Sequence, residues 1–191
     1  MRKFILAAAF FLMSLCFADN SSAGNFGLVG GANFYTYNPK DIGQQTLTNW
    51  HAGMVCKFGL PLGFQIQPSL TYSVKDGEIP RKLQDVDASI LTVGYLELMT
   101  SLQWGVDLIL FRPFLDVSPF VGYSVEELKN SAFKSADGLE YGVGLGGGLQ
   151  IWRFQVTARY NWNFGYIVPD GKEKVKGENF NGVSLSLAYF F

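Results

Sequence analysis

Residues 153 to 164, Arg-Phe-Gln-Val-Thr-Ala-Arg-Tyr-Asn-Trp-Asn-Phe, alternate polar and apolar side chains without a break. A period of two belongs to a β-strand whose successive side chains point to opposite faces. One face is wet, and the other carries Phe154, Val156, Ala158, Tyr160, Trp162 and Phe164. The chain must therefore hold this strand between two environments of opposite polarity.

The pattern recurs. Strand-like segments fall at about 25 to 36, 49 to 60, 62 to 75, 89 to 104, 112 to 125, 138 to 151, 153 to 165 and 180 to 191. The connections between them alternate in length: long and polar at 37 to 48, 76 to 88, 126 to 137 and 166 to 179, short at 59 to 63, 105 to 111 and 151 to 153. In the third segment Phe64, Ile66, Pro68, Leu70, Tyr72 and Val74 oppose Gln65, Gln67, Ser69, Thr71 and Ser73; in the last, Val183, Leu185, Leu187, Tyr189 and Phe191 oppose Ser184, Ser186 and Ala188. A soluble lipocalin-like carrier has the same alternation with its oily face inside, so composition has to decide. The polar face here is Gly, Ser, Thr, Asn and Gln with scattered charges, which suits a narrow filled lumen better than a solvated exterior dense in Lys and Glu. The apolar face carries Trp50, Tyr72, Trp104, Tyr123, Trp162 and Tyr189 near strand ends, where aromatic girdles meet the membrane interfaces. The predicted fold is all-β: an eight-stranded antiparallel up-and-down transmembrane β-barrel, with short periplasmic turns and longer extracellular loops.

Magnitude orients the seventh strand. Arg159 lies six residues from a short turn, roughly 20 Å along the strand and about 14 Å in depth at a 45° tilt, near the bilayer middle. A guanidinium facing lipid there would cost about 2–4 kcal/mol, so Arg159 points inward. The tight turn at Trp152-Arg153 then pairs residues whose numbers sum to 305, because only an odd sum keeps both oily faces on one side. This register sets Arg159 beside Gly146, with Gly144, Gly146 and Gly148 leaving room for Arg159 and Asn161. The glycine run also suits barrel curvature. It is not a phosphate loop, since no Lys-Ser or Lys-Thr ends it.

Residues 1 to 23 have the anatomy of a signal peptide: Arg2 and Lys3, an apolar run from Phe4 to Phe17, and cleavage candidates after Ala18 or Ala23. The barrel domain is then 24 to 191. Without Arg2 and Lys3 the 15 basic residues fall to 13 against 16 acidic ones, a net charge of about −3 with no basic face for nucleic acid. Export leaves Cys56 as the one cysteine, expected on the oily face as an inert apolar residue. His51 is the only histidine, which removes most metal sites and Ser-His schemes and implies no cofactor. It is expected in the girdle region near the outer mouth, with no Ser or carboxylate assignable beside it.

Inward positions include Lys57, Glu97, Asp116, Glu140, Arg153 and Arg159. Eight strands enclose a space that side chains fill, so these charges are expected to form a lumen polar network in which Glu97 pairs with Arg159. Two basic clusters, Pro80-Arg-Lys82 and Lys172-Glu-Lys-Val-Lys176, fall in long loops and could meet lipopolysaccharide or a protein partner.

Several short stretches resemble the PorT-like outer-membrane β-barrel domain family, whose architecture is related to OmpA and OmpX barrels. They are Phe26-Gly-Leu-Val-Gly-Gly-Ala-Asn33, Trp50-His-Ala-Gly53, Phe64-Gln-Ile-Gln-Pro-Ser-Leu-Thr-Tyr72, Gly94-Tyr-Leu-Glu-Leu98, Pro119-Phe-Val-Gly-Tyr123, Gly144-Leu-Gly-Gly-Gly148 and Ala158-Arg-Tyr-Asn161. The family's Tyr-Leu-Glu-Ile run usually continues with Pro, where this chain has Met99. The resemblance implies a Gram-negative outer-membrane protein, non-enzymatic, with a structural, secretion-associated or surface-interaction role. Tyr189 and Phe191 in the terminal Tyr-Phe-Phe look like the signal read by the barrel-assembly machinery. Expected partners are outer-membrane lipids and lipopolysaccharide, that machinery, and a secretion-system or surface partner. The competing expectations are a narrow porin-like channel for small solutes and, further off, a soluble carrier or a lipid hydrolase.

Overall fold

The computed structural model describes residues 25–37, 45–78, 90–124, 139–164, 166–167, 175–176 and 181–191. The signal segment, both basic clusters apart from the backbone at 175–176, and most of the long connections lie outside the described residues. Seven long strands follow one another: β1 (Asn25–Tyr37), β2 (Gln45–Gly59), β3 (Phe64–Glu78), β4 (Ile90–Gly105), β5 (Arg112–Ser124), β6 (Leu139–Ile151) and β7 (Phe154–Asn163). Two-residue strands β8 (Tyr166–Ile167) and β9 (Val175–Lys176) precede the last long strand, β10 (Gly182–Phe190).

Each of β1 to β7 pairs antiparallel with its sequence neighbour, β7 pairs with β10, and β10 pairs with β1. The ring of eight long strands is thus closed and up-and-down, which removes the free sheet edges a membrane would not tolerate. Within the expected loop 166 to 179, Tyr166 pairs with Leu139 of β6 and β8 pairs with β9, so this connection carries a short ribbon above the ring.

Burial follows the alternation with the polarity inverted relative to a soluble protein. Among the described residues, 18 polar or charged side chains are buried against 8 apolar ones, while 28 large apolar side chains are exposed. On β7 and β10 the outward rows Phe154, Val156, Tyr160 and Val183, Leu185, Leu187 are exposed, and Gln155, Thr157, Ser184 and Ser186 are buried. A water-soluble carrier would show the reverse. The outward row also holds Trp50 against Tyr72 (ring centroids 5.6 Å), Tyr160 against Trp162 (4.7 Å) and Tyr189 against Phe154 (5.1 Å). Trp104 and Tyr123 lie on the same face of β4 and β5. Cys56 lies on the outward row of β2 by register and is fully buried.

The β6/β7 ladder has Gly146 opposite Arg159, Leu145 opposite Tyr160 and Ile151 opposite Phe154, the register that the two-residue turn dictates. The three short connections share one end of the barrel with Asn25 and Phe191: a 3-10 turn at Pro61–Gly63, the stretch 106–111, and Trp152-Arg153. Leu62 (φ 63°) and Trp152 (φ 53°) occupy left-handed positions there.

Candidate functional site

Glycine windows in the sheet organise the interior. Asp116 on β5 and Arg159 on β7 both stand opposite Gly146 on β6. Because Gly146 has no side chain, the two charges meet across it: Arg159 Nε donates to Asp116 Oδ1 at 2.6 Å and Nη2 donates to Oδ2 at 3.2 Å. Arg159 Nη2 also donates to Ser101 Oγ (3.0 Å), while Ser118 Oγ and Gln103 Nε2 donate to the Asp116 carboxylate. The Asp116 side chain has no solvent exposure, so this set of donors is what makes an ionised carboxylate tolerable inside the barrel. Glu97, the expected partner of Arg159, is buried on the same inner face and lines a small cavity together with Arg159, but the carboxylate that pairs with Arg159 is Asp116.

The same device acts at Gly31, which stands opposite both His51 and Ser186. A Cβ there would lie 2.7 Å from His51 Cε1. Asn33 Nδ2 donates to Ser73 Oγ at 3.0 Å, which turns its Oδ1 toward His51 Nδ1, also at 3.0 Å. Nδ1 facing that carbonyl oxygen is a donor, and Nε2 lies 2.9 Å from the Ser186 hydroxyl. His51 is thus an inward, buried residue and not a girdle residue, since its place opposite Gly31 sets it on the lumen row. Its Ser-His-Asn order could relay a proton. The cavity beside it is about 50 Å³, the space of a few waters.

Nearer the short turns, amides bridge the lumen. Gln67 exchanges hydrogen bonds with Gln103 (3.0 and 3.1 Å) and with Gln155 (2.9 and 3.0 Å), tying β3 to β4 and to β7. Lys57 Nζ donates to Gln150 Oε1 at 2.8 Å and lies 3.6 Å from the centroid of Phe190. Phe190 packs with Val55 and Ala188, a small apolar plug inside the barrel. Arg112 Nη1 donates to Gln65 Oε1 (3.1 Å) and Nη2 to the Gly63 carbonyl (2.8 Å). Toward the opposite end, Glu140 Oε2 accepts from Asn163 Nδ2 at 2.7 Å.

Of the inward charges read from the sequence, Lys57, Glu97, Asp116 and Glu140 are buried on the lumen side and Arg159 nearly so, but Arg153 is exposed. It belongs to the two-residue turn, past the last ladder pair, and lies beside the Trp152 ring at 5.3 Å. Sequence reasoning misses Arg112, Phe114 and Phe120, which share the inward row of β5 with Asp116. Their signal is present, because an inward Asp116 carries every second residue of that strand with it. A Cβ at Gly148 or Gly142 would lie 2.5 Å from the Phe114 or Phe120 ring, so these aromatics fill the space that the β6 glycines leave.

Among solved structures, Neisserial surface protein A is similar to this chain with a TM-score of 0.52 and 14% identity, over 90% of this chain and 100% of that one. A major outer membrane protein from Thermus thermophilus aligns over 88% of this chain and 100% of that one, with a TM-score of 0.38 and 13% identity. No curated protein sequence matches. The profile of the outer membrane protein beta-barrel domain matches residues 17–168. That span is well over half of the chain, and the chain therefore belongs to the outer membrane protein beta-barrel domain family.

Proposed function

We propose that this chain is a non-enzymatic, multi-pass protein of a Gram-negative outer membrane, exported by its first 23 residues. Its barrel is a sealed support, and its long loops meet the partner. The observation that carries the reading is the inverted polarity, with oily rows outside and a hydrogen-bonded polar interior. Within it, the PorT-like resemblance favours a secretion-associated or surface-interaction role, with lipopolysaccharide, the assembly machinery and a secretion or surface protein as partners. A cavity of about 50 Å³, bounded by the amide bridges and the Phe190 plug, argues against the narrow-channel alternative.

Heat-modifiability tests the core of this reading. The protein refolded in detergent should migrate differently on a denaturing gel before and after boiling, with a β-rich circular dichroism spectrum. No shift, together with solubility kept after detergent removal, would replace the membrane barrel by a soluble one. Cross-linking on intact cells would then search for the loop partner.

A further inference from the structure

All three short turns present strongly exposed large apolar side chains. Leu62 is 87% exposed in the β2/β3 turn, Ile109 and Leu110 are 102% and 78% exposed between β4 and β5, and Trp152 is 74% exposed between β6 and β7. Water-facing turns favour Gly, Asn, Asp and Ser, the more so where φ is positive. Here the left-handed positions at Leu62 and Trp152 hold bulky residues that disfavour that conformation. Three turns from separate parts of the chain depart from the rule in the same direction.

The two lumen cations at this end, Lys57 and Arg112, are each 4% exposed and turned inward, while Asp107, 3.3 Å from Arg112 Nε, keeps its side chain 78% exposed. Arg153 stays outside against Trp152, on a side chain long enough to reach a headgroup. The apolar turns continue the outward rows above them, with Phe64, Trp104, Leu115, Ile151 and Phe154 all exposed. Nor does this end need contact with water, since the Lys57–Gln150 bridge and the Phe190 plug seal the lumen there.

We infer that the short-turn rim is a lipid-binding surface: Leu62, the Leu108–Phe111 tip and Trp152 sit among the acyl chains and glycerol region of the adjoining leaflet, leaving the loop end as the wet face. The inference rests on the membrane reading above. It extends the lipid contact past the strand ends, where a barrel with polar turns would meet the periplasm.

The test uses the full barrel refolded into vesicles of phosphatidylcholine brominated on its acyl chains, with no other protein present. A Trp50→Phe, Trp104→Phe, Trp162→Phe variant reports Trp152 alone, and a companion retaining only Trp104 reports the outward band. The expected result is that both indoles emit at blue-shifted wavelengths, are quenched by the brominated lipid, and resist quenching by aqueous iodide. Quenching of Trp104 but a water-like, iodide-quenched Trp152 would overturn the rim proposal while leaving the membrane barrel intact. If neither indole meets lipid, the membrane reading itself fails. Should the triple variant not fold, the difference between the wild type and Trp152→Phe gives the same readout.

Discussion

Of the three buried lumen carboxylates among the described residues, Asp116 is the one that pairs with Arg159. Asp116 holds Arg159 through two hydrogen bonds across Gly146 and accepts from Ser118 and Gln103 as well. Removing it leaves a guanidinium in a space with little water to solvate it. Asp116→Ala is expected to destabilise the barrel by about 3–5 kcal/mol, the range for breaking a buried pair from one side. Urea titrations in lipid vesicles measure it, and a smaller loss than for Glu97→Ala would contradict the pairing. Gly31 makes the matching steric case. Its missing Cβ is the space in which His51 and Ser186 meet, and an added methyl would also collide with the Leu185 carbonyl oxygen. Gly31→Ala should therefore cost about 1–3 kcal/mol, as overpacking does, and Ser186→Ala in the same background should recover little because the backbone contact persists.

At the scale of strands, the two-residue loop after β6 leaves one odd register compatible with two oily faces, and the β6/β7 ladder adopts it. No such constraint acts between β5 and β6, which are joined by 125–138, so alternation sets Asp116 inside but does not place it opposite Gly146. That is why the sequence points Arg159 inward yet offers Glu97 as its partner. His51 escapes for a related reason: its neighbours Ser186 and Asn33 are 135 and 18 residues away, and only barrel closure brings β10 beside β1. Arg153 fails as an inward residue because alternation stops at the end of β7 and does not reach into the turn. Face assignment, by contrast, is legible wherever alternation is unbroken, and it can be tested on β6. Leu145 lies opposite Tyr160 on the exposed row. Leu145→Arg should cost about 2–4 kcal/mol in vesicles, the penalty for a cation near the bilayer middle. Equal stability of variant and wild type would mean that this row does not face lipid.

For the whole molecule, the interior is closed by two layers in series. The upper layer is the Gln67 bridges to Gln103 and Gln155, beside the Arg159–Asp116 pair, and the lower one is Lys57, Gln150 and Phe190 with its apolar neighbours. Ions must pass both, so the resistance of the pore is set by whichever layer remains shut. Wild-type protein in planar bilayers is expected to show no steady conductance. Phe190→Ala opens only the lower layer, and Gln67→Ala with Gln155→Ala only the upper, so each should stay silent or give rare, brief openings. Combining the three substitutions removes the bulk of both layers while keeping the Asp116–Arg159 pair that stabilises the fold, and this variant alone should conduct in well-defined steps. The effect is then far from additive, which is the mark of barriers in series. If the Phe190→Ala variant conducted as well as the combined one, the upper layer would not be a seal, and the 50 Å³ cavity would be the inner part of a path open to the outer end.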